Sequence, residues 1–288
     1  MISFMVGIFF LLGGPGQQAA GQGDEPGPPL RVMSFNIRYD NPADGPHAWP
    51  ERRNLVGQVI RFHETDLLGV QEALEHQVRQ LDEDLPGFAW VGLGRADGKA
   101  AGEFSPIFYR EERFELIESG TFWLSPTPDE PGSQGWDAAL PRIATWAKLR
   151  DRAAGREFLV LNTHFDHVGE QARQESAKLI VQRAAALAGG EGALPIVLTG
   201  DFNAEPASEA YATLVGAFQD ARDASEGGHF GPDGTFGSFQ PQEAPAPRID
   251  YIFVKGPVRV LREATLAHHW EGRHASDHWP VFVELRWK

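Results

Sequence analysis

The stretch PIVLTGDFN, residues 195–203, is the part of the sequence that decides the fold. Its first half is apolar and β-branched, as is typical of a buried strand, and the strand ends in the polar residues Asp201 and Asn203. An Asx-turn or a helix cap would explain such a pair. A carboxylate at a buried strand end must otherwise be paired or bind a cation, because an isolated buried charge is very costly. Whether Asp201 is structural or functional therefore depends on what the other strands carry.

Polar side chains recur at the ends of further predicted strands. Their lengths and their β-branched or aromatic content predict strands at 31–37, 66–70, 88–93, 105–110, 115–124, 143–149, 157–163, 195–200, 249–254 and 280–285. The polar residues beside them are Asn36, Glu72, His164, Asp166, Asp250, Asp277 and His278. Each alone has an ordinary explanation as a turn residue, a cap or a hydrogen-bonded core residue. Together, in one order along the chain, they indicate one shared cleft.

Helical patterns and long loops separate these strands. Helices are predicted at 51–64, after a proline, at 170–188, before two glycines, and at 207–217. Loops rich in glycine and proline are predicted at 40–50, 125–141 and 223–247. Loops of that length inside a compact domain are usually functional or mobile.

Composition excludes several classes of chemistry. The 288 residues contain no cysteine, which rules out disulfides, cysteine-based zinc sites and thiol catalysis. The formal net charge is −14. A binder of long nucleic acid normally presents a basic footprint, so long DNA or RNA is disfavoured as a substrate. An anionic ester would need bound cations here, which an acidic site could hold.

The N-terminus has the features of an export signal. Residues 1–12 are apolar and uncharged, small residues follow, and the run is too short for a comfortable membrane span. We predict a signal peptide at 1–22, a linker at 23–29 and one catalytic domain at 30–288, in a secreted, periplasmic or envelope-held protein. The run lacks the usual Lys or Arg at its start, so a leader of another kind or a misplaced start codon stays open.

The motifs GDFN (200–203) and SDH (276–278) resemble the endonuclease/exonuclease/phosphatase superfamily, which includes deoxyribonuclease I. The fragments FN, QE, NTH and RIDYIF support the resemblance in the expected order, from about Arg31 to Glu284. MSFNIRYDNPADG and THFDH resemble a bacterial branch. The resemblance implies an α/β four-layered sandwich, in which two packed, mostly antiparallel β-sheets are flanked by helices.

A second motif competes with this resemblance. Residues 162–167, NTHFDH, are similar to the H-x-H-x-D-H motif of metallo-β-lactamase-type zinc hydrolases. Here Asn162 stands at the first ligand position, and that fold has no place for GDFN or SDH. The zinc-hydrolase interpretation is therefore disfavoured.

The resemblance implies one or two hard divalent cations, Mg²⁺ or Mn²⁺, on oxygen ligands. Glu72 would be the main metal ligand, with Asn36 beside it. Asp277 would either bind metal or orient the imidazole of His278. The cation would polarise a phosphoryl oxygen and stabilise the leaving oxygen.

The resemblance also assigns catalytic roles. Asp201 would orient or deprotonate the attacking water, and Asn203 would donate a hydrogen bond to the charge that develops on the phosphoryl group. His278 would act as acid, base or electrostatic clamp. His164 would face the phosphate, with its tautomer set by Asp250.

Four further residues are candidates for substrate binding. Tyr109 could approach the phosphate or pack in a strand, and Arg142 could bind phosphate or pair with an acid. Asp166 and His167 could shape a pocket specific to the branch.

Three functions remain open at this stage. The first is hydrolysis of a small or lipid-linked phosphodiester or phosphomonoester by in-line attack of water. The second is a nuclease on the same scaffold, and the third is a binding protein that has lost catalysis. We expect a monomer without a stable protein partner.

Overall fold

The structure is a computed structural model that describes residue 1 and residues 27–190, 194–239 and 246–288. The predicted signal peptide at 1–22 lies outside the described residues, apart from Met1, and so does the linker up to residue 26. The end of the linker packs on the domain, because Arg113 donates hydrogen bonds to the carbonyl oxygens of Pro28 and Pro29.

Every predicted strand is present in the structure, with ends shifted by two residues at most. Along the described chain the strands are β1 (Leu30–Asn36), β2 (Leu67–Gln71), β3 (Phe88–Val91), β4 (Ile107–Arg110), β5 (Phe114–Trp123), β6 (Ile143–Asp151), β7 (Arg156–His164), β8 (Ile196–Asp201), β9 (Gln219–Asp220), β10 (His229–Phe230), β11 (Asp250–Lys255), β12 (Val258–Thr265), β13 (His269–Trp270), β14 (Arg273–His274) and β15 (Val281–Trp287). Among the longer strands of the described chain, only β12 was not predicted. Charged residues alternate with apolar ones in its first part.

The predicted helices are also present. The α-helices are α1 (Trp49–Phe62), α2 (Glu75–Asp84), α3 (Glu170–Leu187), α4 (Glu209–Val215) and α5 (Ala221–Ala224), and a 3₁₀ helix spans Pro42–His47. Helix α2 was not predicted, because it is short and mostly polar, and only Gln77, Val78 and Leu81 of its ten residues are buried. None of the described helices is both long and apolar enough to cross a membrane.

The strands form two large sheets. Sheet I has the order β10-β12-β15-β1-β2-β4-β3, and sheet II has the order β5-β6-β7-β8-β11-β9. Neighbouring strands run antiparallel except in the pairs β1–β2, β10–β12 and β7–β8. The predicted pair of mostly antiparallel sheets is confirmed.

The buried core lies in three layers, which makes the fold a four-layered sandwich. Val32 and Val160 pack between the two sheets. Their strand neighbours point the other way, because successive side chains of a strand alternate between its faces. Met33 packs with helices α1 and α2 on the outside of sheet I. Leu161 packs against Ile180 of α3 on the outside of sheet II.

Strand register brings the polar strand ends together. Across sheet II, the pairs His164–Asp201 and Asp201–Asp250 place three side chains in one row at the strand ends. In sheet I, Asn36 at the end of β1 is paired with Gln71 at the end of β2. Glu72 is the next residue after Gln71, so it lies beside Asn36. One edge of the sandwich therefore collects residues from both sheets.

Candidate active site

Three side chains form a potential cation site at this edge. Glu72, Asp201 and His278 each offer one ligand atom, and these atoms all lie within 4.8 Å of one another. Glu72 follows β2 with a φ of 65°, an uncommon conformation for a residue other than glycine. Such backbone outliers persist only where their surroundings fix them, and they cluster at functional sites. Among the described residues this is the one group of at least three potential ligands.

Asn36 points its amide nitrogen into the same group. Its Nδ2 lies 3.0 Å from Glu72 Oε1, 2.9 Å from Asp201 Oδ2 and 3.4 Å from His278 Nε2. An amide group has two hydrogens and cannot satisfy three acceptors fully. Its Oδ1 meanwhile accepts a hydrogen bond from the backbone N–H of Arg38 at 3.0 Å. The carboxylates of Glu72 and Asp201 around a shared point thus fit a divalent cation, and His278 Nε2 and the amide of Asn36 stand beside that point.

His278 is held by Asp250, whereas the sequence interpretation paired it with Asp277. Its Nδ1 lies 2.9 Å from Asp250 Oδ2, which also accepts a 2.6 Å hydrogen bond from the hydroxyl of Thr235. Burial lowers the pKa of His278, but the carboxylates of Asp250 and Asp201 outweigh burial and raise this pKa well above its ordinary value. The imidazole is therefore fixed at Nδ1 and presents Nε2 to the site.

The predicted pairing of His164 with Asp250 is wrong. Strand β8 lies between β7 and β11, so Asp201 separates the two residues and Asp250 reaches His278 of the other sheet instead. The ring of His164 has its Nε2 3.1 Å from Asn203 Nδ2 and its Nδ1 3.8 Å from Glu103 Oε2. Burial lowers the pKa of His164 well below its ordinary value, and nearby Arg142 lowers it further. His164 is thus a neutral imidazole at the base of the site.

As the GDFN motif predicted, Asp201 lies at the end of a buried strand, and Asn203 follows two residues later. Asp201 Oδ1 accepts the backbone N–H of Asn203, and Oδ2 faces the cluster. Burial, and then the charge of Asp250, raise the pKa of Asp201 to about 7. The amide of Asn203 donates to Phe165 O and faces His164, so its contact with a phosphoryl oxygen stays a prediction.

Asp277 faces Arg38, a residue that the sequence analysis did not single out. Asp277 Oδ2 lies 3.9 Å from Arg38 Nε, while Asp277 Oδ1 lies 3.1 Å from the hydroxyl of Ser276. Burial raises the pKa of Asp277. Burial opposes the charge on Arg38, yet Asp44, Asp277 and Glu72 keep the pKa of Arg38 above its ordinary value. The FNIR sequence, with arginine two residues after Asn36, was the signal that could have identified it.

Arg142, Asp166 and His167 form the wall of the site. Arg142 Nε lies 3.3 Å from Asp166 Oδ2, and Arg142 Nη2 lies 2.8 Å from His167 Nδ1. Because a guanidinium only donates, His167 Nδ1 must accept, and the ring proton lies on Nε2. Arg142 is 4% exposed, and its Nη1 has no hydrogen-bond partner within the described residues. Arg142 therefore pairs with an acid and leaves one buried donor without a partner.

Glu103 is a further residue that the sequence analysis missed. It makes a bidentate pair with Arg95, with N···O distances of 2.7 and 2.8 Å. Burial raises the pKa of Glu103, and Arg95 opposes this rise. Glu103 precedes β4 in a loop, where no periodic pattern distinguishes it from the other surface acids.

Of the two possibilities for Tyr109, the structure shows the packed strand residue and not the substrate contact. Tyr109 packs in the core between the two sheets and is paired in register with Leu67, at the far end of β2 from Glu72. It does not line the cavity of the site.

Asn162 of the competing NTHFDH motif has a structural role. Its amide nitrogen donates to the carbonyl oxygens of Val70 and Pro106, at 2.7 and 2.9 Å. Its oxygen accepts from Gln71 Nε2 and from the hydroxyl of Thr199. The residue fastens the two sheets to each other directly below the cluster.

Above this network lies a cavity of about 410 Å³, lined by the polar side chains of Arg38, Glu72, Glu103, Arg142, His164, His167, Asp201, Asn203, Asp277 and His278. Its base carries the cluster of Glu72, Asp201 and His278, and its wall carries Arg142 and His167. A buried cluster of acidic residues and a histidine at the strand ends of a two-sheet sandwich is an arrangement that can hold a divalent cation.

The chain belongs to the Endonuclease/Exonuclease/phosphatase family, whose model matches residues 33–278. The match covers every strand-end motif, from FN at 35–36 to SDH at 276–278, and it excludes the zinc-hydrolase alternative. Members of this family are hydrolases of phosphoester bonds and generally depend on divalent metal ions.

Solved structures of bacterial proteins are similar over nearly the whole chain. A Bacteroides vulgatus protein of the family is 43% identical with a TM-score of 0.86, and the match covers 91% of this chain and 100% of that one. The mannosyl-6-phosphatase of Bacteroides thetaiotaomicron is 40% identical with a TM-score of 0.84, over 89% of this chain and 99% of that one.

Eukaryotic relatives are more distant. Rat Nocturnin is 24% identical over 86% of this chain, and Drosophila melanogaster Nocturnin is 26% identical over 58% of it. The chain spans 57% of the length of the first and 26% of the second. The human Nocturnin catalytic domain, 22% identical with a TM-score of 0.72, shares the fold and covers 91% of this chain and 94% of that one.

Proposed function

We propose that this protein is a metal-dependent phosphatase that hydrolyses a small phosphate monoester, and that the substrate is a sugar phosphate. The observation that carries the proposal is the convergence of Glu72, Asp201 and His278 at the base of a cavity, with His164 beside them. The similarity to a mannosyl-6-phosphatase over almost the full length of both chains supports the substrate class.

The proposed cofactor is Mg²⁺ or Mn²⁺. Hard cations prefer oxygen ligands, so the carboxylate of Glu72 would hold the ion, and Asp201 and His278 Nε2 would border it. When bound, the ion supplies positive charge to a phosphoryl oxygen and to the leaving oxygen.

Asp201 and His278 have different roles in the proposed reaction. Asp201, with its raised pKa, is suited to orient the attacking water and take its proton near neutral pH. His278 is fixed by Asp250 and directs Nε2 at the position of the phosphoryl group. Because the neighbouring carboxylates favour its charged form, His278 is suited to stabilise negative charge as it develops.

The cavity wall supports a small polar substrate. His167, whose ring Arg142 fixes through Nδ1, offers Nε2–H as a donor, while Glu103 supplies acceptor oxygens. Sugar hydroxyl groups are recognised by such a mixture of donors and acceptors. The net charge of −14 argues against long nucleic acid, which depends on basic surfaces for affinity.

The second candidate function is a nuclease. The matches to Nocturnin and to fungal exoribonuclease subunits named Ccr4 favour it, although their identities to this chain are 26% or lower. A phosphodiesterase for small or lipid-linked diesters would use the same cluster.

A substrate panel tests the proposal. Purified protein would be assayed with hexose phosphates, nucleotides, bis(p-nitrophenyl) phosphate and short RNA, with and without EDTA and added Mg²⁺ or Mn²⁺. We expect metal-dependent release of phosphate, fastest from hexose phosphates. Faster cleavage of RNA would favour the nuclease, and full activity after complete metal removal would refute the mechanism.

A pair of variants tests whether the measured phosphate release comes from this site or from a co-purified phosphatase. Asp201→Asn should abolish phosphate release, because the amide cannot accept the proton of the water. Asp129→Asn is the matched control, since the Asp129 side chain is 78% exposed and pairs with Arg183 on the surface. Equal activity of the two variants would remove Asp201 from the mechanism.

We also propose that the protein is exported. The apolar run of residues 1–12, followed by small residues, supports this proposal. Mass spectrometry of the protein from its native host should find the first ~20 residues absent, as expected for a cleaved signal peptide. An intact Met1 on cytoplasmic protein would contradict export.

A further inference from the structure

The wall of the cavity contains a row of three hydrogen-bonded side chains that ends at the cavity surface. Asp166 Oδ2 accepts a hydrogen bond from Arg142 Nε at 3.3 Å, and Arg142 Nη2 donates to His167 Nδ1 at 2.8 Å. The side chains of Arg142 and Asp166 are 4% and 1% exposed, whereas His167 is exposed and lines the cavity. His167 is therefore the member of the row that a substrate can contact.

Asp166 is a fixed and charged anchor for the other two residues. Its Oδ1 accepts the backbone N–H groups of Val168 and Gly169, at 3.0 and 2.8 Å, which holds the turn that carries His167. Burial raises the pKa of Asp166, but these backbone hydrogen bonds and the charge of Arg142 outweigh burial and lower the pKa to about 2. Asp166 is thus ionised at neutral pH and holds the guanidinium of Arg142 against the imidazole.

The contact with Arg142 fixes the tautomer of His167. A guanidinium has N–H donors and no acceptor, so Nδ1 must contribute a lone pair and the ring proton must lie on Nε2. The two ring nitrogens point in different directions, so the Nε2–H bond is directed away from Arg142. Within the part of the chain that the structure describes, Nε2 has no hydrogen-bond partner of its own. His167 therefore presents one fixed donor, which can bind only an acceptor atom.

This donor lies on a different part of the cavity from the catalytic cluster. Glu72, Asp201 and His278 converge at the base, and His167 is not a member of that group. It follows the end of β7 by three residues and belongs to the wall. A phosphoryl group held at the base leaves the remainder of the substrate beside this wall, so His167 faces the leaving group.

We infer that His167 selects the substrate by donating its Nε2–H to an oxygen of the leaving group, and that Arg142 is a positioning residue that acts through His167. The inference rests on the proposed phosphatase function and deepens it, because it assigns recognition of a hydroxyl or ring oxygen of the sugar to one donor. It also decides between the two roles considered for Arg142. The guanidinium is buried between Asp166 and His167, and its Nη1 is buried as well, so Arg142 orients the imidazole and does not bind the phosphate.

Two substrates separate recognition of the leaving group from catalysis. Glucose 6-phosphate and mannose 6-phosphate carry hydroxyl and ring oxygens, whereas phenyl phosphate carries the same phosphoryl group on an apolar ring. His167→Ala should lower kcat/KM for the preferred hexose phosphate by about tenfold, mainly through KM, as expected for the loss of one hydrogen bond that is equally strong in the ground state and the transition state. It should leave kcat/KM for phenyl phosphate within about twofold of the wild type. His167→Gln, which keeps an N–H donor, should recover part of the loss.

The control is His269→Ala, because His269 is an exposed residue of β13 that does not line the cavity. This variant should behave as the wild type with both substrates. Equal losses by His167→Ala with the two substrates, or no loss with the hexose phosphate, would overturn the inference and leave the proposed function standing. Failure of the wild type to hydrolyse any hexose phosphate would overturn both.

The positioning role of Arg142 has a test of its own. Arg142→Met frees the imidazole to take either tautomer, so the preference for the hexose phosphate over phenyl phosphate should fall. If Arg142 acts through His167, adding Arg142→Met to His167→Ala should not change that preference further. A further loss with both substrates would show that Arg142 acts on the phosphate and would refute this role.

Nitrogen-15 NMR of the wild type tests the same role without depending on whether an Arg142 variant folds. The ring signals of His167, assigned by their absence from His167→Ala, should be those of the Nε2–H tautomer. The Nδ1–H tautomer would refute the role of Arg142.

Discussion

Gly69, in the middle of β2, faces Asn162 and Thr199 of the opposite sheet below the active site. A Cβ atom at this position would come within 2.6 Å of Asn162 Oδ1 and still closer to the hydroxyl of Thr199. Both groups belong to the buried hydrogen-bond network that joins the sheets. Gly69→Ala must therefore push apart groups that have no free space and no flexible end.

The structure sets the size of the effect. Overpacking of a tight core costs about 1–3 kcal/mol, and each buried polar group left without its partner costs a further ~1–3 kcal/mol. With one such partner lost, the sum of about 2–6 kcal/mol is a large share of the ~5–15 kcal/mol that stabilises a folded protein. At roughly 2 °C per kcal/mol for a domain of this size, Tm should fall by about 4–12 °C. The affinity for Mn²⁺ should also fall, because β2 carries Glu72 and the same network sets its distance from Asp201.

The matched control is Gly57→Ala in helix α1. There a Cβ would meet only Arg61 Nη1 at 2.8 Å, the end of a flexible side chain. The helix gains about 0.5–1 kcal/mol from replacement of glycine by alanine, so the Tm should be equal or slightly higher. Thermal unfolding by circular dichroism and Mn²⁺ titration would be run on both variants. A Gly69→Ala protein with the Tm and Mn²⁺ affinity of the control would refute this account of the sheet interface.

Three further predictions address the histidines and the excluded tyrosine. His278→Ala and His164→Ala should each lower kcat by about 10²–10⁴-fold, with smaller changes in KM and little change in Tm; normal turnover by His278→Ala would remove the central step of the mechanism. Tyr109→Phe should leave kcat unchanged, because Tyr109 packs between the sheets, and a large loss in steady-state turnover would contradict that placement. Burial, and then the neighbouring His268, lower the pKa of His63 to about 4, so folding favours its neutral form. The wild type should therefore lose stability relative to His63→Gln as the pH falls from about 6.5 to 4, which urea unfolding across that range would measure, and parallel curves would count against it.

The sequence by itself predicted the strands and most of the residues that the structure brings together in the cleft. A buried strand must be apolar along its length, so the polar residues at its ends stand out, as Asp201 and Asn203 do in GDFN. The order of such ends along the chain was sufficient to indicate the family, and the structure confirms the two-sheet sandwich. Helix α2 escaped because it is short and mostly polar, and strand β12 escaped because charged residues interrupt its apolar positions.

Only the tertiary structure decided which of these residues act on one another. The partner of His278 is Asp250 and not its sequence neighbour Asp277. His164 cannot pair with Asp250, because the spatial strand order places Asp201 between them. Register and strand order are set by long-range packing, which sequence spacing does not encode.

The same reason explains the residues that the sequence analysis missed or misplaced. Arg38 and Glu103 lie in loops, where no periodic pattern marks them, and they gain a role only because the fold sets them against Glu72 and His164. Tyr109 lies on a strand that leads to the site, but its distance along that strand carries it into the core. Chemistry at the site depends on distances of a few ångströms between groups far apart in the chain, and the packing of the two sheets fixes those distances.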